Sequence, residues 1–455
     1  MIRCELAGAS SRLVTIDNTL PHKTDYDLTN FSIDSVMTQS KNNSSILFSG
    51  YEKFVIAILT ILQFTVVLDF MVLSPLGAIL MPALHIDPEQ FSLVVSAYAF
   101  SAGAAGLLAA GFADKFDRKK MLLFFYTGFL AGTLFCGLAK DYQMLLLARI
   151  VTGIFGGVLS SITFAIITDL FAMQVRGRVM GFVQMGFASS QVLGIPLGLY
   201  AANRFDWHMP FLLIVALGLL VGLIIVMKLR PIDTHLHLKS ERSAFEHLKK
   251  TIRTPRYLKG FAATVLLATG GFMLMPFASA FSTGNLGLKM EDLPSLYMVT
   301  GIASMIAGPL AGKLSDQIGK YRLFIIATCA GIILVLFYSH LGQTPLWLMM
   351  IISAILFTSI TARIVAASAL MSAVPAPQDR GAFMGVSSAI QQISGGLASA
   401  LAGLIIVKEP NGYLRNYPIL GYVVVGAMVT TIVMMYAIHR LVPEPVSDVK
   451  RTKND

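Results

Sequence analysis

The chain has 455 residues, 55% of them apolar and only 13% charged, with a mean hydropathy of +0.70 and a formal net charge of +10. An ordinary soluble domain is roughly one quarter charged, so a water-soluble globule, a disordered chain and a coiled coil are excluded. Three cysteines cannot build a disulfide framework, and Cys136 and Cys329 fall inside apolar runs. What remains is a polytopic membrane protein, because about 20 consecutive apolar residues cross the hydrocarbon core as a helix.

Residues 1–50 are polar and rich in Ser, Thr, Asn and Asp. They have no basic stretch followed by an apolar one, so no cleaved signal peptide is expected. They read as a disordered cytoplasmic tail, and Met37 offers a second start that would leave the first 36 residues untranslated. Six apolar segments follow at about 54–80, 91–112, 121–139, 144–167, 178–203 and 210–228, predicting a six-helix bundle over 51–228. A basic loop spans 229–258, either an amphipathic helix on the membrane surface or a solvated linker. Six more segments at about 259–283, 295–314, 322–341, 346–371, 382–407 and 418–441 predict a second bundle over 259–441, before a cytoplasmic tail at 442–455.

Lys and Arg orient the spans. With both termini inside, the inner segments hold roughly 28 of the 35 basic residues and the outer loops roughly 5. Both ends are therefore expected in the cytoplasm, and the positive charge is a topology signal rather than a sign of nucleic-acid binding.

The two sets of six repeat each other. Asp114 after span 2 and Asp316 after span 8 are 202 positions apart, and Arg176-Gly177 before span 5 and Arg380-Gly381 before span 11 are 204 apart. Two landmarks at nearly one offset predict a transporter built from related halves.

At these residues the chain resembles the major facilitator superfamily of secondary transporters. The signature between spans 2 and 3 fits in the second half at Gly312, Leu314, Asp316, Gly319 and Lys320. The first-half copy keeps Asp114, Lys115, Arg118 and Lys119, with Ala110 and Asp117 in place of two glycines. Arg149, Gly153 and Gly157 in span 4 resemble the proton-coupled branches, and Leu68-Asp69 with Pro82 resembles the antiporter pattern. Gly194, Pro196 and Gly198 in span 5 are similar to the signature of bacterial drug and sugar efflux permeases. The resemblance implies twelve transmembrane helices in two six-helix bundles, rocking around a central cavity. It also implies that span 2 faces 11, that span 5 faces 8, and that helices 1 and 4 are neighbours.

Small residues recur every fourth position in span 5 (Gly186, Ser190, Gly194, Gly198, Ala202) and span 8 (Thr300, Ser304, Gly308, Gly312). Span 2 has Ala102, Gly106 and Ala110, and span 11 has Gly395, Ser399 and Gly403. Such stripes let helices approach closely, as static packing or as a sliding seam.

Three charges lie deep in the spans: Asp69, Arg149 and Arg363. A charge at the centre of a membrane helix costs at least about 2.5 kcal/mol, which points to a role or a partner. At 1.5 Å per residue, Asp69 lies ~22 Å and Arg149 ~27 Å above the inner ends of their helices, near enough for a long arginine to reach the carboxylate. Desolvation and a nearby cation pull on a carboxyl proton in opposite directions, as a group that takes and releases a proton requires. Arg363 either faces the cavity, with Gln191 and Gln391 as further polar contacts to substrate, or pairs with backbone carbonyls. The signature resemblance implies a cytoplasmic gate in which Arg118 pairs with Asp169 and Asp114 meets the amino end of helix 11 near Gly381. By the repeat, Asp316, beside Lys320, meets the amino end of helix 5 near Arg178.

No metal-ligand cluster, nucleophile triad or phosphate-binding glycine loop appears. The expected protein is a monomeric, cofactor-free secondary transporter in the inner (plasma) membrane, with small molecules, protons and lipid as partners. Proton-coupled efflux is the leading reading. Proton-coupled import, or a transport-dead sensor on the same fold, are the alternatives.

Overall fold

Ser49 starts the first helix with a capping box: its hydroxyl accepts from the Glu52 N–H while the Glu52 carboxylate accepts from the Ser49 N–H. The computed structural model describes residues 48–109, 116–233, 250–376 and 379–441, and its helices belong to one unit, Ser49–Asp455. The expectations for the tails at 1–47 and 442–455, for most of the basic loop, and for Asp114 lie outside the described residues.

The first half comprises α1 (Gly50–Val72), α2 (Gly77–Ala83), α3 (Pro88–Ala109), α4 (Arg118–Cys136), α5 (Tyr142–Leu170), α6 (Met173–Ser189), α7 (Ile195–Arg204) and α8 (Met209–Lys228). The second comprises α9 (Pro255–Phe272), α10 (Ala278–Gly284), α11 (Leu293–Ile318), α12 (Lys320–Ser339), α13 (Leu346–Met371), α14 (Arg380–Ile405) and α15 (Tyr417–Leu441). Among the described residues these make twelve passes, since α1–α2, α6–α7 and α9–α10 are each one interrupted span. Ten passes are long and apolar enough to cross a membrane by composition. The other two are α4, which opens with Arg118, Lys119 and Lys120, and α14, which carries Ser387, Ser388, Gln391, Gln392 and Ser394. Both are packed among other passes of the same molecule, so neither needs a fully apolar surface.

The sequence predicts continuous spans where three are interrupted, and proline is the cause each time. Pro75 lies in the turn between α1 and α2, and Pro276 in the 3-10 turn Met275–Phe277 between α9 and α10. Pro196 follows a π turn at Ser190–Gly194. Proline has no N–H to give the preceding turn, so the backbone re-pairs locally. The short helices α2 and α10 begin at Gly77 and Ala278, 201 positions apart, so these breaks obey the internal repeat.

Contacts mark the two ends of the molecule. At the basic end, Lys119 donates to the Val226 carbonyl and Tyr257 to the Asp379 carboxylate. At the opposite end, the Asn203 amide donates to the Met290 carbonyl. A short antiparallel hairpin, β1 (Val407–Lys408) with β2 (Leu414–Arg415), is clamped there by Asn285, which donates to the Leu414 carbonyl and accepts from its N–H.

The halves meet along two lines, α3 against α14 and α11 against the π turn and α7. Near the opposite end one apolar core runs through both halves, joining Leu73, Leu76 and Phe91 to Phe277, Phe281 and Tyr417. Near the basic end the second half has its own core around Phe261, Phe324 and Phe383. Glycines report the same asymmetry. A Cβ on Gly301 would touch the backbone of Gln191 and Val192, and one on Gly403 would strike Ser92. A Cβ on Gly177, Gly181, Gly308, Gly312, Gly381 or Gly385, all toward the basic end, would meet nothing within 4 Å. The halves share one core toward the opposite end, whereas toward the basic end the contact between them narrows to α3, whose Leu107 packs on the second half's core.

Candidate functional site

α1 buries a stripe of Leu62, Thr65, Asp69 and Val72, spaced three and four apart and therefore on one face. α5 turns Leu145, Ala148, Arg149 and Thr152 toward it. Arg149 Nη1 lies 2.8 Å from Asp69 Oδ2, and both residues are 0% exposed. The same nitrogen donates to the Asp69 carbonyl at 3.3 Å. Thr133 of α4 donates to the other carboxylate oxygen at 3.0 Å. The guanidinium carbon stands 4.4 Å over the Tyr98 ring of α3. Four helices thus hold one charge pair.

Glycine makes this approach feasible. A Cβ on Gly132 would lie 2.8 Å from the Thr152 nitrogen, so α4 and α5 cross there and bring Thr133 to the carboxylate. A Cβ on Gly153 would lie 2.5 Å from the Tyr98 carbonyl, and one on Gly157 would strike the Ala102 backbone. Both glycines therefore seat α5 on α3 and set Arg149 over Tyr98. An ion pair so deeply buried is stable only with good geometry and satisfied lone pairs. The Thr133 hydroxyl and the contact of Nη1 with the Asp69 carbonyl supply part of this, while Arg149 Nε has no hydrogen-bond partner.

A cavity lies between the halves, and neither Asp69 nor Arg149 is among its lining residues. Met71, two residues beyond Asp69, lines it with Pro75, Gln191 and Ile195. The second half contributes Met275, Tyr297, Thr300, Ser304, Tyr338 and Ser353 among others. The volume is about 70 Å³, well below the roughly 300–1,000 Å³ of a drug-sized site. A ligand of that size needs the halves to move. An aromatic chain connects the charge pair to the second half: Tyr98 packs on Phe70 at 5.2 Å, and Phe70 on Phe272 of α9 at 5.9 Å.

Of the three polar residues expected in the cavity, Gln191 lines it, with its amide 3.9 Å from the Met71 sulfur. Arg363 and Gln391 are not among its lining residues. Arg363 shares its helix face with Leu356, Ser359 and Ala366, which point into the second bundle, and Gln391 is exposed. The uniformly apolar α13 gives no sequence signal for this phase.

At the basic end Arg118 Nε pairs with Asp169 Oδ2 at 2.9 Å. Asp117 caps α4 and accepts from the Ile232 N–H, fastening the start of the central loop. Asp316 is exposed and makes no ion pair with a described residue; Gly319, at φ 95°, turns the chain from it into α12 at Lys320. No hydrogen bond or ion pair joins the Asp316 side chain to the amino end of α6 among the described residues.

The small-residue stripes divide between roles. Gly186, Gly194 and Gly198 pack on Thr60, Leu68 and Val72 of α1, inside the first half, and Pro196 ends the π turn between them. Across the halves Gly403 of the predicted span 11 stripe meets Ser92, while two further close contacts fall one position off the predicted stripes: Gly103 meets Ala389, and Gly396 meets Ala99 and Phe100. Thr133, Tyr98 and Phe70 carry no sequence signal, because threonine and aromatic residues are ordinary in apolar spans.

The profile of the Major Facilitator Superfamily matches residues 59–399 and 261–455. The chain is 25% identical to the Bacillus subtilis MFS-type transporter YceJ over 58% of its length and 67% of that protein's. It is 24% identical to YtbD of the same organism over 76% of its length and 87% of that protein's. Among solved structures it resembles a bacterial homologue of the human lysosomal transporter Spinster, inward-facing and unoccupied. The TM-score is 0.63 and the identity 18%, over 87% of this chain and 97% of that one. A mutant of the nucleoside transporter NupG has the same fold, with a TM-score of 0.68 and 13% identity over 86% of this chain and 99% of that one. With twelve passes, a charge pair inside the first half and a cavity between the halves, the chain belongs to the Major Facilitator Superfamily.

Proposed function

We propose that this membrane transporter exports small drug-like or sugar-like molecules in exchange for protons, by alternating access. Asp69 takes and releases the proton, and Arg149 holds the deprotonated carboxylate. The supporting observation is the fully buried 2.8 Å pair, joined through Tyr98 and Phe70 to Phe272 of the second half. A charge switch there changes the energy of packing along a chain of contacts that crosses between the halves, which is what coupling requires. When Asp69 is protonated, its attraction to Arg149 weakens and the aromatic contact through Phe70 to Phe272 is free to shift.

Both termini are cytoplasmic and the membrane is the plasma membrane, on the distribution of Lys and Arg. The basic end is then the cytoplasmic one, and the conformation is open inward. The gate contacts of Asp114 and Asp316 form in the outward-open state, while the Arg118–Asp169 pair inside the first half is already made in this conformation. One chain carries both halves and its own cavity, so a monomer suffices.

Inverted membrane vesicles with an imposed pH gradient test this. Adding a panel of lipophilic dyes and sugars should release lumenal protons, read with a pH-sensitive dye. Asp69→Asn, which keeps the side chain's size, should abolish the signal while downhill exchange of the same solute survives. Proton release at wild-type rate in Asp69→Asn would exclude Asp69 as the coupling group. Preloaded solute leaving the lumen together with the protons would reverse the direction to import.

A further inference from the structure

Arg363 of α13 is a second buried cation, and among the described residues it has no counter-charge. It is 4% exposed. Its Nη1 lies 3.3 Å from where a Cβ on Gly270 of α9 would stand, a tight approach that glycine leaves open. The Phe324 ring is 6.0 Å from its guanidinium carbon, at the limit of a useful cation–π contact. Neither Nε nor Nη2 has a hydrogen-bond partner. The described carboxylates of the second half are Glu291, Asp292, Asp316, Asp379 and Glu409, all at helix ends or in loops. Asp69 is already paired with Arg149. A buried guanidinium left in this state is strongly destabilising, so the fold retains it for something that arrives.

We propose that Arg363 is the recognition group of a carboxylate-binding site inside the second bundle. The two unpartnered nitrogens identify the ligand class. Nε–H and the adjacent Nη2–H form one edge of the planar guanidinium, the fork that receives both oxygens of a carboxylate. A single cation without a neighbouring lysine or arginine in the helix interior fits a monovalent anion. Access runs past α9: Gly270 faces Arg363, a Cβ on Gly271 would meet nothing within 4 Å, and Met275, one turn beyond Gly271, lines the cavity. Gly270 sets no side chain over the guanidinium, and the helix face at Gly271 is open. The carboxylate belongs either to the transported solute or to a small dissolved acid.

The test is equilibrium binding to purified full-length protein without a pH gradient, so its outcome is independent of proton coupling through Asp69. Sodium chloride is replaced by sodium acetate, then by sodium benzoate, at constant ionic strength while the melting temperature is followed. A saturable rise with a carboxylate is expected, retained in Asp69→Asn and lost in Arg363→Gln. Arg363→Lys keeps the charge but not the fork, and should weaken binding at least tenfold. It serves as the deciding variant if Arg363→Gln does not fold. Uptake of labelled acetate or benzoate into proteoliposomes assigns the site to the solute, and binding without uptake assigns it to a dissolved acid; either supports the proposal. No saturable effect, an equal effect of chloride, or unchanged binding in Arg363→Lys would overturn it.

Discussion

Asp69 and Arg149 are held by more than each other, and this sets how their variants should behave. Removing one partner of a buried ion pair leaves an uncompensated charge and costs about 3–5 kcal/mol. Arg149→Ala should therefore lower the melting temperature sharply, with Asp69 left facing Thr133 alone. The double variant Asp69→Asn, Arg149→Ala should be clearly more stable than Arg149→Ala, because the stranded charge is gone. Arg149→Lys should stand between, since lysine restores the charge but not the planar group stacked over the Tyr98 ring. Additive losses in this cycle, measured by thermal melting in detergent, would mean that the pair is not energetically coupled.

Helix contacts repeat this logic with glycine as the variable. A Cβ on Gly157 would strike the Ala102 backbone, which cannot rotate away, whereas one on Gly308 would enter open space. Overpacking a tight site costs typically about 1–3 kcal/mol. Gly157→Leu should thus reduce folded yield and melting temperature, and Gly308→Leu should leave both within about 0.5 kcal/mol of wild type. Similar losses in both, compared by size-exclusion yield and melting curves, would contradict the packing. The sequence distinguishes these two glycines poorly. In a soluble helix the polar face marks the outside, but lipid is as apolar as a core, so a span's period is weak and its phase hard to read. The spans, their number, the repeat and the depth of the Asp69–Arg149 pair were legible, because each depends on composition or counting. The inward direction of Arg363, the Thr133 contact and the neighbour of each small-residue stripe depend on phase, and the sequence carried no signal for them. The proline breaks at Pro75, Pro196 and Pro276 were visible as residues, but prolines are common in membrane helices and do not announce which will interrupt one.

The two halves share a core at one end and touch less at the other, and a transporter that alternates must reverse this. At the shared end Gly301 against Gln191 and Gly403 against Ser92 leave no room for added side chains. At the basic end Gly308 and Gly312 of α11 and Gly181 of α6 stand clear of their neighbours. If the basic end closes by bringing α11 against α6, as Asp316 meeting the amino end of α6 requires, small residues are needed there only in the closed state. Gly308→Trp and Gly312→Trp should then fold with wild-type melting temperature, because the present conformation has space for the ring. Each should nevertheless lose at least tenfold in transport, a block equivalent to about 1.4 kcal/mol or more against the outward-open state. A cysteine at Gly385 should react with a water-soluble maleimide as fast in these variants as in their wild-type background, or faster, since they are held open at that end. Full transport with a tryptophan at both positions would show that this face of α11 meets lipid, and the closing surface would have to be sought on α14, where Gly381 and Gly385 are equally unobstructed.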